Sequence, residues 1–328
     1  MSNFFSALAS FFKPAKPKFP PDSVTEPAQI SQSKVLLIVY DPIMDKTSGT
    51  TLSQQQSWHR PTDLVTGFLL DMIQISGGMA RYQIVQRVDL NEFPAKTDGF
   101  RYTPETYMNV WRGTLAPHMP QEVNYNAILS QFNILQRVAR NEIDEVWIFG
   151  FPHAGFYEST MGGPGAFWCN APPLKNTDAS KRRFVIMGFS YERHVGEMLE
   201  AYGHRAESVM EKTFSKLKGD ANLWERFTKY EKIAAGKAAC GNIHFAPNSQ
   251  QDYDWNNPAI VKSECYDWKL NFPNFKGDVR MVSPAEWGGE IREHHKWWFN
   301  HFPRVAGRRN GIHNNWWQYV VAPQNVIV

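Results

Sequence analysis

A histidine and a glutamate three positions apart, His194 and Glu197, are the first candidates for metal chemistry in this sequence. On a helix, side chains three apart are neighbours, so both could bind one divalent ion. Catalytic zinc sites usually take three protein ligands. The third must come from elsewhere in the fold, and the candidates are His153, His59, Glu158 and His244. We predict that His153, His194 and Glu197 bind a divalent ion, zinc or manganese.

Acidic residues that follow apolar runs are candidates for acid–base chemistry. Asp41, Glu158 and Glu192 each come shortly after such a run. In open α/β sheets, ligands bind beyond the carboxyl ends of the strands, so we expect these side chains to share one cleft. Glu192 or Glu158 would be the general acid or base, and Asp41 would support them.

A serine nucleophile is a weaker alternative. Ser190 lies in the run Gly-Phe-Ser-Tyr-Glu, between a predicted strand and a predicted helix, where α/β-hydrolases have G-x-S-x-G. Glu192 replaces the second glycine, whose small size allows a sharp turn. We therefore expect Ser190 to cap the following helix, and a serine esterase is the third candidate function.

The segment 191–214 has the apolar spacing of an amphipathic helix. Glu192 would lie in its first turn, near the positive end of the helix dipole. Glu200 and His204 would lie with Glu197 opposite the apolar stripe. We expect Glu200 and His204 to form part of a solvated charged face, where ion pairs add little stability.

Aromatic residues make up 14% of the chain, with 12 Trp, 12 Tyr and 22 Phe. Indole rings beside polar residues are suited to stacking on sugars, although they also fill irregular cores. We predict a substrate platform of Trp168, Trp255 and Trp316, with Arg193 as a further substrate-binding residue.

Buried strands are needed to position these residues, and apolar runs predict them at 35–40, 82–88, 146–149 and 184–187. Helical periodicity occurs between them, at 64–75 and 125–140. The alternation predicts an α/β fold: a mostly parallel sheet with helices on both faces, plus an irregular, aromatic-rich C-terminal section.

The predicted organisation has three parts. Residues 1–33 form a flexible N-terminal arm, 34–218 an α/β domain, and 219–328 a C-terminal section packed on the same domain. In the arm, lysines follow the apolar stretch rather than precede it, which is atypical of a secretory signal. Residues 1–21 could instead act as a peripheral tether. No apolar run reaches the roughly 18 residues of a membrane span. We therefore expect a cytoplasmic or peripherally attached protein.

The charge and the cysteine content exclude few classes of partner or compartment. The net charge of +3 and the absence of a nucleic-acid-binding motif argue against a nucleic-acid partner. The chain has 3 Cys, of which Cys240 and Cys265 could pair if the protein is exported, leaving Cys169 unpaired.

Three segments resemble a family of uncharacterised bacterial proteins: 183–207 (RFVIMGFSYERHVGEMLEAYGHRAE), 295–299 (HKWWF) and 314–317 (NNWW). The similarity covers roughly residues 147–319 and implies that both halves belong to one recurring unit; it implies no activity. From the residues, we expect a metal- or carboxylate-assisted hydrolase acting on a glycan or peptidoglycan-like polymer. The alternative is a non-catalytic glycan-binding or structural protein.

Overall fold

A five-stranded, mostly parallel sheet lies at the centre of the structure, a computed structural model that describes residues 20–327. The described strands are β1 (Ser31–Tyr40), β2 (Ile43–Asp45), β3 (Thr50–Thr51), β4 (Ala80–Leu90), β5 (Glu145–Gly150), β6 (Ser159–Gly162), β7 (Phe184–Ser190), β8 (Val261–Ser263), β9 (Arg280–Val282), β10 (Arg304–Arg309) and β11 (Ile312–Asn315). The order across the sheet is β4-β1-β5-β7-β6, and only β6 runs antiparallel to its neighbour. The prediction of an α/β fold is confirmed.

Helices connect and cover the strands. They are α1 (Leu52–Gln55), α2 (Pro61–Ser76), α3 (Pro104–Trp111), α4 (Tyr125–Gln131), α5 (Ile134–Ala139), α6 (Val195–Phe214), α7 (Leu223–Phe227), α8 (Cys265–Asn271), α9 (Ile291–Asn300) and α10 (Trp317–Val321). The chain leaves β1 towards β4 through α2 and then crosses to β5 on the other side of β1. Right-handed crossovers in these two directions place helices on both faces of the sheet.

Aromatic side chains hold the layers together. Trp147 on β5 packs edge-on against Phe68 of α2, with ring centroids 5.3 Å apart. Tyr202 of α6 lies 5.9 Å from Phe68 and 5.6 Å from Phe299 of α9. The sheet, the α2–α6 layer and α9 are therefore stacked in that order, and all four rings are buried.

A buried ion pair fixes α6 on the sheet. Both carboxylate oxygens of Glu145 on β5 accept from the Arg205 guanidinium, at 3.1 and 2.9 Å. The same guanidinium donates to the carbonyl oxygens of Val320 and Val321 in α10. Because the Arg205 and Glu145 side chains are 0% and 2% exposed, the pair holds α6 in one orientation on the sheet, and the preceding residue, His204, is 17% exposed.

The predicted helix boundaries differ from the structure at two places. The segment 125–140 forms two helices because Asn133 adopts a left-handed conformation, with φ of 49°. Strand β7 continues to Ser190, and α6 begins only at Val195 with His194 as its N-cap. The prediction that Ser190 caps this helix is therefore wrong, and Glu192 lies in the preceding turn.

The described part of the predicted N-terminal arm, residues 20–33, contacts the rest of the fold. Strand β1 begins at Ser31, and Ser23 pairs with Arg308 through two backbone hydrogen bonds. Glu26 accepts two hydrogen bonds from the Arg308 guanidinium. The described part of the predicted arm is thus packed on the β10–β11 hairpin, whereas the predicted tether at residues 1–21 falls largely outside the described residues.

The aromatic side chains of the C-terminal section pack against α6 and belong to the same hydrophobic core as the sheet. Trp316 is 1% exposed and packs within 6 Å of Phe214, Trp224 and Phe227. Cys240 and Cys265 are free thiols buried in the same region. Within residues 20–327, no helix combines the length and apolar character needed to cross a bilayer.

Candidate metal centre

Helix α6 carries two potential ligands, and the first of them, Glu200, is buried rather than part of the solvated face expected from the sequence. Glu200 and His204 are four residues apart, which places them on one face, and Glu200 Oε1 lies 4.0 Å from His204 Nε2. One turn further on, Glu207 Oε2 lies 3.0 Å from His204 Nδ1. Glu207 therefore holds the His204 ring so that Nε2 points towards Glu200.

A loop 44 residues further along the chain brings His244 to the same point. Gly203 makes this approach possible, because a Cβ there would lie 2.3 Å from the Ile243 side chain. The Ile243 N–H donates to Glu207 Oε1 at 3.1 Å, and the Asn242 side chain accepts from the His244 N–H at 3.0 Å. The loop is thus attached to α6 at the residues beside the candidate ligands.

Glu200, His204 and His244 form a cluster that could hold a metal ion. Their potential ligand atoms all lie within 4.8 Å of one another, and His244 Nε2 is 3.1 Å from Glu200 Oε1. Ligands of a tetrahedral ion, at bond lengths near 2.0–2.2 Å, are separated by about 3.3–3.6 Å. The cluster needs only small side-chain shifts to reach that spacing.

Each histidine of the cluster is oriented by a second carboxylate. His204 Nδ1 is paired with Glu207, and His244 Nδ1 lies 2.9 Å from Asp252 Oδ1. Metal-binding histidines commonly have this arrangement, because a carboxylate on one ring nitrogen fixes the tautomer and directs the other nitrogen at the ion. The outer carboxylates are a second, independent sign of a ligand site.

The electrostatics of the cluster keep its glutamate ionised. Burial raises the pKa of Glu200, but hydrogen bonds from His244 and Tyr253 outweigh it, so the pKa lies below its usual value. Burial lowers the pKa of His204, but the hydrogen bond and charge of Glu207 and the charge of Glu158 raise it above the usual value. The cluster therefore attracts positive charge, whether protons or a metal cation.

An open groove runs along this cluster, formed by two adjoining cavities of about 350 and 760 Å³. Residues that line both cavities are Glu158, Glu192, Arg193, His194 and Glu197. Glu200 lines the second cavity together with Tyr253 and Trp255. Through Glu200, the candidate metal centre borders the groove.

Glu158 is a further acidic residue of the groove, and it lies close to His204. It ends the loop between β5 and β6. Its Oε2 accepts a hydrogen bond from Asn170 Nδ2 at 2.6 Å, and the same oxygen is 4.0 Å from His204 Nε2. Its side chain is 41% exposed, so it remains accessible to a substrate or a water molecule. Glu158 can therefore serve as a further ligand or as a proton acceptor at the edge of the centre.

The predicted metal ligands share the groove without forming a three-ligand cluster. His153, His194 and Glu197 all line the first cavity. However, the Glu197 carboxylate accepts from the His194 backbone N–H at 3.1 Å, and the His194 ring lies 4.1 Å from His59. In the part of the chain that the structure describes, the group with metal-binding spacing is Glu200, His204 and His244 instead.

Asp41 is not brought into the groove with the other predicted acid–base residues. Its two carboxylate oxygens accept from the Ser53 backbone N–H at 2.9 Å and from the Ser53 hydroxyl at 2.7 Å. The Tyr191 hydroxyl is a third partner, at 3.4 Å. Asp41 therefore stabilises the start of α1, which corrects its predicted role beside Glu192 and Glu158.

The three predicted platform tryptophans are dispersed. Trp255 lines the groove, although it is only 7% exposed, and its ring stacks on His294. Trp168 is 59% exposed but lines neither cavity of the groove. Trp316 lies in the core and is 1% exposed, so its ring is not accessible to a substrate. Arg193 does line the groove, 3.9 Å from Glu192.

Ser190 lines the first cavity. Its hydroxyl accepts from the Glu192 N–H at 3.3 Å, and within residues 20–327 no hydrogen bond joins it to a histidine. A serine nucleophile needs such a base.

The chain matches no protein family, no curated protein and no solved structure. The functional assignment therefore rests on the geometry of the groove and the cluster beside it. In the sequence, the spacing of Glu200, His204 and Glu207 on one helical face was the available signal. The approach of His244 depends on the packing of Ile243 at Gly203, which no local pattern reveals.

Proposed function

We propose that this protein is a metal-dependent hydrolase, acting on a glycan or peptidoglycan-like polymer, whose divalent ion is held by Glu200, His204 and His244. The observation that carries the proposal is the convergence of two imidazole nitrogens and one carboxylate, with each imidazole held from behind by another carboxylate. Two histidines and one glutamate are a known ligand set of catalytic zinc sites.

The donor set favours zinc over manganese, because imidazole suits zinc whereas manganese prefers oxygen ligands. A bound divalent ion would supply Lewis acidity, which polarises a carbonyl or phosphoryl oxygen and makes water acidic near neutral pH. Three protein ligands leave room for water and substrate, and the groove beside Glu200 gives access to that position.

We assign the role of general base to Glu158. It is accessible, it is held in place by Asn170, and its oxygen lies 4.0 Å from His204 Nε2. In this position it can take a proton from water and later deliver it to the leaving group. Glu192 lines the same groove and is the alternative proton donor.

The shape of the groove supports an extended substrate. Its two cavities meet at Glu158, so a chain could pass the metal centre with units bound on either side. Tyr253 and Trp255 give one cavity an aromatic wall beside polar groups, a combination suited to sugar rings. These features favour a polymer over a small, fully enclosed substrate.

Metal analysis of purified variants tests the ligand assignment. We expect about one zinc ion per wild-type chain and loss of the ion in His204→Ala and His244→Ala. His153→Asn and His194→Ala are the matched controls, since these residues belong to the alternative ligand set. Asparagine suits the φ of 65° at His153. Metal loss in the controls but not in the first pair would refute the assignment.

Turnover separates catalysis from simple binding. On a panel of polysaccharides and peptidoglycan, we expect zinc-loaded wild type to cleave a substrate. Glu158→Gln should retain its metal while kcat falls about 10²–10⁴-fold. A metal-loaded protein that binds polysaccharide without cleaving any member of the panel would support the non-catalytic alternative instead.

A further inference from the structure

A separate cavity of about 570 Å³ lies beside α7, β8 and the end of β10 and shares no lining residue with the groove. We call it the basic cavity, because its charged lining is mainly cationic. The five cationic residues are Arg226, Lys229, Lys237, Lys262 and Arg309, and the two acidic ones are Asp220 and Glu264. None of them belongs to the groove or to the candidate metal centre.

One of the two acidic groups is already neutralised. The Arg226 guanidinium donates to both carboxylate oxygens of Glu264, at 2.8 and 2.7 Å. Trp268 Nε1 donates to the same carboxylate at 3.2 Å. Glu264 therefore has little remaining capacity to pair with the lysines around it.

The lysines of the basic cavity have no such partner. Among the described residues, no carboxylate lies within ion-pair distance of Lys229, Lys237 or Lys262, whereas many other cationic side chains of this protein form ion pairs. Three lysines that line one cavity carry like charges that repel each other, and a multivalent anion would relieve that repulsion.

The cavity also has an apolar wall. Phe275 lines it beneath the Arg226 guanidinium, which lies 3.9 Å from the ring centroid, and Val279 is 51% exposed. Its volume is within the range of sites for small organic ligands. An organic body against Phe275 and Val279 would direct its anionic groups at the lysines.

We propose that the basic cavity is a second binding site, for a ligand with two or more phosphate or sulfate groups. A single exposed charge contact contributes little, so affinity requires several at once. The groove offers the opposite environment, with four glutamates and Arg193 as its only arginine. The side chains alone therefore favour an anionic ligand at the basic cavity over the groove.

Calorimetric titration with inorganic tripolyphosphate at low ionic strength tests the site. We compare Lys237→Gln/Lys262→Gln with Lys46→Gln/Lys175→Gln, which removes two exposed lysines outside the cavity. Both variants lose two positive charges, so a general charge effect acts equally on both. We expect the first to raise Kd about tenfold and the second less than about twofold.

A second titration with dextran sulfate distinguishes the two sources of this chemistry. Stoichiometric tripolyphosphate binding indicates a small phosphorylated ligand. If Lys237→Gln/Lys262→Gln weakens the binding of dextran sulfate alone, the ligand is a segment of an anionic polymer. Equal losses in the two double variants, or no binding of either probe to wild type, would overturn the proposal. Metal content is expected to be unchanged in both variants, so the result is independent of the proposed hydrolase activity.

Discussion

Replacing Lys96 with methionine should weaken both the fold and the wall of the groove. The Lys96 side chain is buried, and its ammonium donates to the carbonyl oxygens of Gln121, His153 and Ala154 at 2.7, 2.6 and 2.9 Å. Gln121, His153 and Ala154 all line the first cavity of the groove. One side chain therefore joins the segment before α4 to the loop after β5.

The size of the effect follows from two opposing contributions. Methionine leaves three carbonyls without their donor, at about 2 kcal/mol each. Burial lowers the pKa of Lys96 to about 8, although the nearby charge of Asp98 raises it. That shift from 10.5 corresponds to about 3 kcal/mol of ammonium burial, which methionine would relieve. We expect a net loss of about 3 kcal/mol in the free energy of unfolding at pH 7.

The pH dependence of this difference has a definite sign. Because the pKa of Lys96 is lower in the folded protein, the unfolded chain binds more protons between pH 8 and 10.5. Stability from this group therefore rises with pH across that interval. Methionine does not titrate, so the stability gap between wild type and Lys96→Met should widen as the pH increases above 8.

Urea unfolding followed by tryptophan fluorescence, at pH 7 and at pH 9.5, measures both effects. Lys46→Met, at an exposed position, is the matched control and should change the free energy of unfolding by less than about 0.5 kcal/mol. A Lys96→Met protein as stable as wild type, or a stability gap that narrows at pH 9.5, would contradict this role of Lys96.

Three further predictions concern other buried or paired groups. Arg205→Met should lower the free energy of unfolding by about 3–5 kcal/mol in urea titrations, because the Glu145 charge is left buried and unpaired. Glu207→Gln should weaken zinc binding about 10–100-fold in competition with a chromophoric chelator, since this carboxylate orients a ligand histidine. The hydrogen bond from Arg308 holds the pKa of Glu26 below 4.5, although burial opposes it. The stability that Glu26 contributes is therefore present above pH 4.5 and lost as the pH falls through the pKa of the folded state. In acid titrations, the free energies of unfolding of wild type and Glu26→Gln should differ at pH 6 and converge below that pKa.

Two of these predictions, those for Arg205 and Glu207, have a control on a comparable residue. Glu211→Gln changes an exposed glutamate one turn beyond Glu207, and unchanged zinc affinity there separates orientation of the ligand from loss of surface charge. A similar loss of zinc affinity in both glutamine variants would contradict the role of Glu207. Arg193→Met removes an exposed arginine and should leave the urea midpoint close to wild type; a drop as large as that of Arg205→Met would contradict the burial argument.

The sheet and the helix that carries two candidate ligands were accessible from the sequence. The apolar run at 35–40 is buried on both faces of β1, and the apolar stripe predicted for 191–214 matches the buried side of α6. Both follow from short-range periodicity, since side chains alternate along a strand and recur every three to four residues on a helix. The sequence also placed Glu200 and His204 on one face.

The partners of the candidate site residues depend on contacts between distant segments of the chain. His244 joins Glu200 and His204 because Ile243 packs where Gly203 has no side chain, and that contact links positions far apart in the chain. Asp41 follows directly after β1, but its carboxylate accepts from the Ser53 hydroxyl and N–H and does not line the groove. Chain periodicity determines which face a side chain occupies, whereas its partners depend on packing between distant segments, which local sequence does not encode.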